Sequence, residues 1–185
     1  GQSFTANSAL CSGWTSSEVL QSRWGSDYAA NMQRLQSLAA RTGQTVLLYN
    51  GQPAAACYHA ISSGHTEASQ NVWGGQLPYL CGVDSAWDKF ADGYEVTIQY
   101  SAEQVRTALE ELGLTPDDSP ESWVGASTWD KAGYVRTLEL CGQMVCGLEV
   151  RKALDLRSTC FAIAWRGGQF VITTRGYGHG VGLSQ

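Results

Sequence analysis

The chain has 185 residues, a length that fits one domain and excludes most multidomain enzymes. Hydrophobic residues make up 43% and aromatics 10%, with 7 Trp and 8 Tyr, which excludes disorder as a global description. Twelve Lys and Arg against 17 Asp and Glu give a net charge of −5, and so acidic a chain, with only 3 Lys, is no partner for nucleic acid. No apolar run approaches the roughly 18 residues of a membrane span. The chain starts Gly1-Gln2 and stops at Ser184-Gln185 directly after a Gly-rich motif, so it reads as an excised ectodomain or an expressed fragment.

In chain order, Ser16 or Ser17 caps a first helical turn, and Met32, Leu35, Leu38 and Ala39 recur at helical spacing until Gly43. Apolar runs 45–49 and 53–58 flank Asn50-Gly51, the strongest short hairpin signal. Residues 62–76, rich in Ser, Gly, Asn and Gln, are expected as loop. A strand over 94–100 leads to Ser101, which caps a helix with Gln104 completing a capping box and Gly113 closing it. Strands follow over 124–130, 134–140 and 143–147, split at Lys131-Ala132-Gly133 and Cys141-Gly142. A short helix over 149–154 precedes a last hairpin, 160–165 with 169–174, across Gly167-Gly168. Strands with few helices and no βαβ alternation predict a strand-rich α+β domain with several hairpins.

Six cysteines stand at 11, 57, 81, 141, 146 and 160, with no CxxC pair to suggest a zinc ribbon. If Cys141-Gly142 form a two-residue turn, Leu140 pairs with Gln143 and Cys146 faces Thr137, which points Cys141 and Cys146 apart. Cys57 and Cys160 lie in apolar runs and read as small core residues. Charge is uneven: residues 1–130 are net −9 and residues 131–185 net +4. Either the basic end faces an anionic ligand or two surfaces attract one another.

Chemistry concentrates in two segments, Ser62-Ser63-Gly64-His65-Thr66-Glu67 with Trp73 beyond it, and Gly176-Tyr177-Gly178-His179-Gly180-Val181-Gly182. All three histidines (His59, His65, His179) lie in or beside them. A metal set of these histidines with Glu67 would need a long-range meeting and lacks an i,i+4 pair, so no metal is expected. A serine hydrolase built on Ser62 or Ser63, His179 and Glu67 lacks the Gly-x-Ser-x-Gly elbow. Carbohydrate chemistry fits better, because burial beside aromatics keeps a carboxylic acid such as Glu67 neutral and Trp faces stack on sugar rings. The competing reading is a solvated loop carboxylate.

The runs Tyr49-Asn50-Gly51-Gln52-Pro53, Ser62 through Glu67, Val72-Trp73-Gly74 and Leu77-Pro78-Tyr79-Leu80 together resemble the stage II sporulation protein D family. So do Gly147-Leu148-Glu149-Val150-Arg151, the stretch from Leu154-Asp155 to Cys160-Phe161, and the ending from Gly176 to Gln185. The resemblance implies one domain, 1–185, cut short at both ends, from a lytic transglycosylase that acts on peptide-stripped peptidoglycan strands in sporulation. Related members enhance amidases, so an amidase or other sporulation cell-wall proteins are implied partners, and a non-catalytic glycan-binding or amidase-enhancer module is the rival reading. The family's acid belongs to an upstream Val-x-x-Glu-Met-Pro signature that these residues do not contain, which leaves Glu67, the Glu of the family's Thr-Glu loop, as the candidate catalytic residue here. Ser62, Ser63, Gly64, Thr66, Glu67 and Trp73 are expected to face Tyr177, His179 and Ser184 across a glycan groove. Arg151 and Arg157 are candidates for the anionic lactyl groups of muramic acid, or for salt bridges with Glu149 and Asp155. Cys11 fits one position of the zinc cluster of some members, but Leu10 and Thr5 stand at two others, so neither zinc nor another cofactor is expected.

Overall fold

The computed structural model describes residues 15–43 and 45–185, which fall into two units, Gly1–Ala54 and Ala55–Gln185. Cys11 and the other positions of the zinc comparison lie outside the described residues. In the first unit, α1 (Ser17–Trp24) is capped by Ser16, whose hydroxyl accepts from the Val19 amide at 3.4 Å. Helix α2 (Tyr28–Thr42) ends at Gly43, whose amide donates to the Ala39 carbonyl. Strands β1 (Leu48–Tyr49) and β2 (Gln52–Pro53) form the expected hairpin, with Asn50 and Gly51 at φ of 51° and 75°. That pair of left-handed residues matches the strand twist, but the ladder is only two residues long, shorter than the flanking apolar runs.

The second unit carries the core. Strands β4 (Glu95–Tyr100), β8 (Phe161–Arg166) and β9 (Gln169–Arg175) form an antiparallel sheet with β9 in the middle. Strands β5 (Val124–Trp129), β6 (Val135–Leu140) and β7 (Gln143–Cys146) form a second, with β6 central. Helix α4 (Ala102–Glu111) brings Val105, Ala108 and Leu109 on one face, and α5 (Gly147–Ala153) brings Val150. These pack with Leu138, Leu140, Phe161, Phe170 and Ile172 into one buried cluster. Trp123 stacks on Phe170 at 5.7 Å between ring centroids, and Arg106 lies over the Trp123 ring. The strand-rich α+β architecture is the one predicted from many strands with few helices.

Local chemistry explains several boundaries. The capping box forms as expected: Ser101 Oγ accepts from the Gln104 amide and Gln104 Oε1 from the Ser101 amide. Cys141 and Gly142, at φ of 49° and 76°, make the β6–β7 turn, with Leu140 opposite Gln143 and Thr137 opposite Cys146. Cys57, Cys81, Cys141, Cys146 and Cys160 are all free thiols; Cys160 is buried, while Cys57 is half-buried, less enclosed than its apolar neighbours suggest. Residues 62–76 are not all loop, because Ser69–Trp73 form a short helix, α3. Its Ser, Gln and Asn content hides it from a propensity reading. No helix among the described residues is long and apolar enough to cross a membrane.

Candidate functional site

The two Gly- and Ser-rich segments meet as backbone ladders. Strand β3 (Tyr58–His59) pairs in parallel with β10 (Leu183–Ser184). Ile61 and Tyr177 exchange amide-to-carbonyl bonds at 3.0 and 2.7 Å, and the Glu67 amide donates to the Gly180 carbonyl at 2.7 Å. The close approach needs glycine. A Cβ on Gly180 would stand 2.6 Å from the Tyr134 hydroxyl, and one on Gly182 2.1 Å from the Cys57 carbonyl oxygen, both at positive φ. Asp88 ties the same segments by side chain, accepting from the Ser62 amide at 2.8 Å and from the Ser184 hydroxyl.

Glu67 lies at the centre of this weave and is 4% exposed. Its Oε1 accepts from the Ala68 amide and from Asn71 Nδ2 in α3, each at 2.8 Å. Its Oε2 accepts from Arg136 Nη2 of β6 at 2.6 Å, and the same nitrogen pairs with Asp130. Asp130 is itself fixed by the Ala132 and Tyr134 amides, both at 2.9 Å. One guanidinium thus serves two carboxylates. Burial pushes the Glu67 carboxyl above its ordinary range; the Asn71 and Ala68 donors pull it down, and neighbouring Asp130 adds to the rise. A shallow cleft of about 230 Å³ opens beside it, lined by His65, Thr66, Asn71, Gly82 and Asp130.

The expected site residues divide by exposure. Ser62, Ser63 and Thr66 are buried, with hydroxyls turned into the loop: Ser62 Oγ accepts from the Gly64 amide, Ser63 Oγ donates to Ala132 carbonyl oxygen at 2.7 Å, and Thr66 Oγ1 accepts from the Val83 amide at 2.9 Å. Gly64 is buried beside them at φ 99°. Trp73 is 50% exposed and lies against His179, ring centroids 5.0 Å apart. Tyr177 is also open to solvent, with the Arg157 guanidinium 4.4 Å above its ring. The structure brings Trp73 to His179 and Arg157 to Tyr177, while Ser184 is drawn to Asp88.

The arginines bind carbonyls. Arg151 Nε and Nη2 donate to the Leu156 and Arg157 carbonyls at 3.1 Å each, and Arg157 Nη1 donates to the Gly93 carbonyl at 3.0 Å. Neither forms the salt bridge with Glu149 or Asp155 that their spacing allows: Arg151 is spent on carbonyls of the turn after α5, and Arg157 on a carbonyl ahead of β4. His59 is buried, and its Nδ1 donates to the Val181 carbonyl at 3.2 Å. Its Nε2 has no partner among the described residues. His179 Nδ1 accepts from the Val181 amide at 3.0 Å. Burial lowers the pKa of both imidazoles, which favours their neutral forms. Among the described residues, no three His, Cys, Asp or Glu side chains are grouped to hold a metal.

Sequence reasoning missed Arg136, Asp130, Asn71 and Asp88. The signal was present in part: Asp130 and Arg136 flank the β5–β6 turn, and Asn71 stands four residues after Glu67, a helical neighbour.

Fold and site together define an α+β protein that carries two half-exposed aromatic rings, Trp73 and Tyr177, and a shallow cleft beside a buried carboxylate held by an ion pair, a surface unlike a closed small-molecule pocket. No protein-family model matches the chain. Over 173 residues, 93% of the chain, it is 34% identical to the stage II sporulation protein D of Bacillus subtilis and 35% identical to that of Bacillus amyloliquefaciens. An amidase enhancer of Bacillus subtilis is 35% identical over 88 residues, 48% of this chain and 11% of that protein. The chain belongs to the stage II sporulation protein D family. It spans about half the length of the two stage II sporulation proteins it matches.

Proposed function

We propose that these 185 residues bind the glycan strands of bacterial peptidoglycan on the cell-wall side of the membrane. The whole protein, in this reading, is a lytic transglycosylase that opens peptide-stripped strands to 1,6-anhydromuramic ends during sporulation. In that reaction a carboxylic acid protonates the glycosidic oxygen as the bond to C1 breaks. The carboxylate left behind takes the proton of the sugar's own 6-hydroxyl, whose oxygen closes on C1, so no water is consumed and one carboxyl suffices.

The observation that carries the binding reading is the pair of half-exposed rings, Trp73, against His179, and Tyr177, which is paired by backbone to Ile61 in the same weave that pairs Glu67 with Val181. Flat rings at half exposure offer stacking faces for pyranose rings, and a rigid mount lowers the ordering cost of binding. Glu67 is the candidate acid within the chain, and burial favours its neutral form. Its two oxygens, however, already accept three donors, one of them a guanidinium. That engagement supports Glu67 as the residue that orders the groove, with the proton donor supplied by another part of the whole protein. A non-catalytic glycan-binding or amidase-enhancing module is the second reading, favoured by the partial likeness to an amidase enhancer; an amidase is then the partner.

Co-sedimentation with peptide-stripped strands tests the binding reading. The unaltered chain should pellet with the strands, and Trp73→Ala should weaken binding by about 30-fold, the loss of a ~2 kcal/mol hot spot. A Trp73→Ala chain that binds as tightly as the unaltered one would remove the rim from the site.

A further inference from the structure

A second cleft of about 750 Å³ stands apart from the one beside Glu67. It lies on the other side of the β5–β6 turn and is floored by the outer face of the β4–β9–β8 sheet. On β9, Phe170, Ile172 and Thr174 point into the core, so Thr173 and Arg175 point out into this cleft. Small residues, Ala162 on β8 and Ala132-Gly133 in the turn, leave it open, and its volume falls within the roughly 300–1,000 Å³ of ligand sites.

Its chemistry has three parts. Trp129, 56% exposed at the end of β5, presents a broad apolar ring at the wall. Thr173 and Tyr94 supply hydroxyls, the Tyr94 hydroxyl donating to the Ser63 carbonyl at 2.9 Å and keeping its lone pairs available, while the Ser63 hydroxyl is committed to the Ala132 carbonyl. Two cations line the cleft, but Arg175 Nε is bound to Glu95 Oε2 at 2.7 Å, so that pair is internally neutral. Lys89 is the cation without an ion pair among the described residues, and it stands on the cleft wall.

We infer that this cleft is a second binding site, for a carboxylate-bearing amino sugar, with the ring against Trp129 and the carboxylate on Lys89. An aromatic face, two hydroxyls and a single uncompensated ammonium select a sugar with one negative charge over a neutral sugar or a polyanion. The inference rests on the glycan reading above but assigns a separate cleft. Because Ser63 and Ala132 line this cleft while Thr66, Glu67 and Ala132 line the other, one wall divides the two.

The test is titration of the whole chain with N-acetylmuramic acid, with N-acetylglucosamine as the matched sugar lacking the carboxylate, followed by amide chemical shifts. N-acetylmuramic acid should bind at least 10-fold more tightly than N-acetylglucosamine. Lys89→Gln, a change on an exposed side chain, should erase that preference. Trp129→Ala should weaken both sugars about 10-fold, and Trp73→Ala should alter neither. Equal affinity for the two sugars in the unaltered chain, or variants at 89 and 129 that titrate as the unaltered chain does, overturns the inference. If polymeric strands still sediment through Trp73 while the sugars ignore Lys89 and Trp129, the second cleft falls and the groove stands. If neither strands nor sugars bind, both fall.

Discussion

Removing the guanidinium that serves two carboxylates should be the most damaging single change in the second unit outside its apolar core. In Arg136→Ala the Glu67 carboxylate, 5% exposed, loses its counter-charge and keeps only the Ala68 and Asn71 donors. Stripping one partner from a buried ion pair costs about 3–5 kcal/mol; with the Arg136 side chain 29% exposed, the low end, about 3 kcal/mol, is expected. For a unit of this size roughly 4 °C accompanies each kcal/mol, so the midpoint of thermal unfolding should fall by about 12 °C at pH 7.5. The pH dependence has a definite sign. Burial already raises the Glu67 pKa in the folded protein, and without Arg136 it rises further. A carboxyl with a folded pKa above its unfolded value binds more protons when folded, so stability is full below the unfolded pKa and falls as pH rises to the folded one. The deficit of Arg136→Ala should therefore shrink as pH is lowered from 7.5 to 5, and Arg136→Lys should recover much of it. Urea titrations at the two pH values provide the assay. A deficit below about 1 kcal/mol at pH 7.5, or one equal at pH 5, would refute the assignment of Glu67 as a buried carboxylate held by Arg136.

Three further outcomes follow from the geometry. Gly182→Ala places a methyl 2.1 Å from the Cys57 carbonyl oxygen at φ 81°, so the β3–β10 pairing should loosen and the unit should lose more than about 2 kcal/mol in urea unfolding. Ser101→Ala removes the cap of α4 and should cost about 1 kcal/mol by the same assay while leaving strand sedimentation unchanged. Burial drives the Cys160 thiol up to about 11, so alkylation at pH 8, read by mass spectrometry, should mark exposed Cys81 and Cys146 and spare Cys160 until denaturant is added.

Elements whose geometry is dictated locally were legible in the sequence. Asn50-Gly51, Cys141-Gly142 and Gly167-Gly168 all form the tight turns their residue types favour, and the register at Leu140 and Gln143 followed from one of them. Ser101 and Gln104 cap α4 because their side chains reach each other's backbone within one turn. Glu67 and Trp73 drew notice by residue type alone. Arg136 and Asp130 did not, because what gives them meaning is the meeting of Arg136 with Glu67 across 69 residues of chain, which their own position beside the β5–β6 turn does not reveal. Likewise, hydroxyls in Ser62, Ser63 and Thr66 look like sugar ligands on paper, whereas a buried loop needs them for its own amides and carbonyls. Salt bridges with Glu149 and Asp155, one of the two readings of Arg151 and Arg157, give way to the same need, since both guanidinia bind backbone carbonyls, of Leu156 and Arg157 and of Gly93.

The most direct measurement is to incubate the chain with peptide-stripped glycan strands, weigh the bound protein and read the strand ends by mass spectrometry. The account predicts bound strands that stay intact, with Glu67→Gln altering stability more than binding. Strands that fail to bind would contradict the glycan groove. 1,6-Anhydromuramic ends that vanish in Glu67→Gln would show that Glu67, engaged as it is, donates the proton itself.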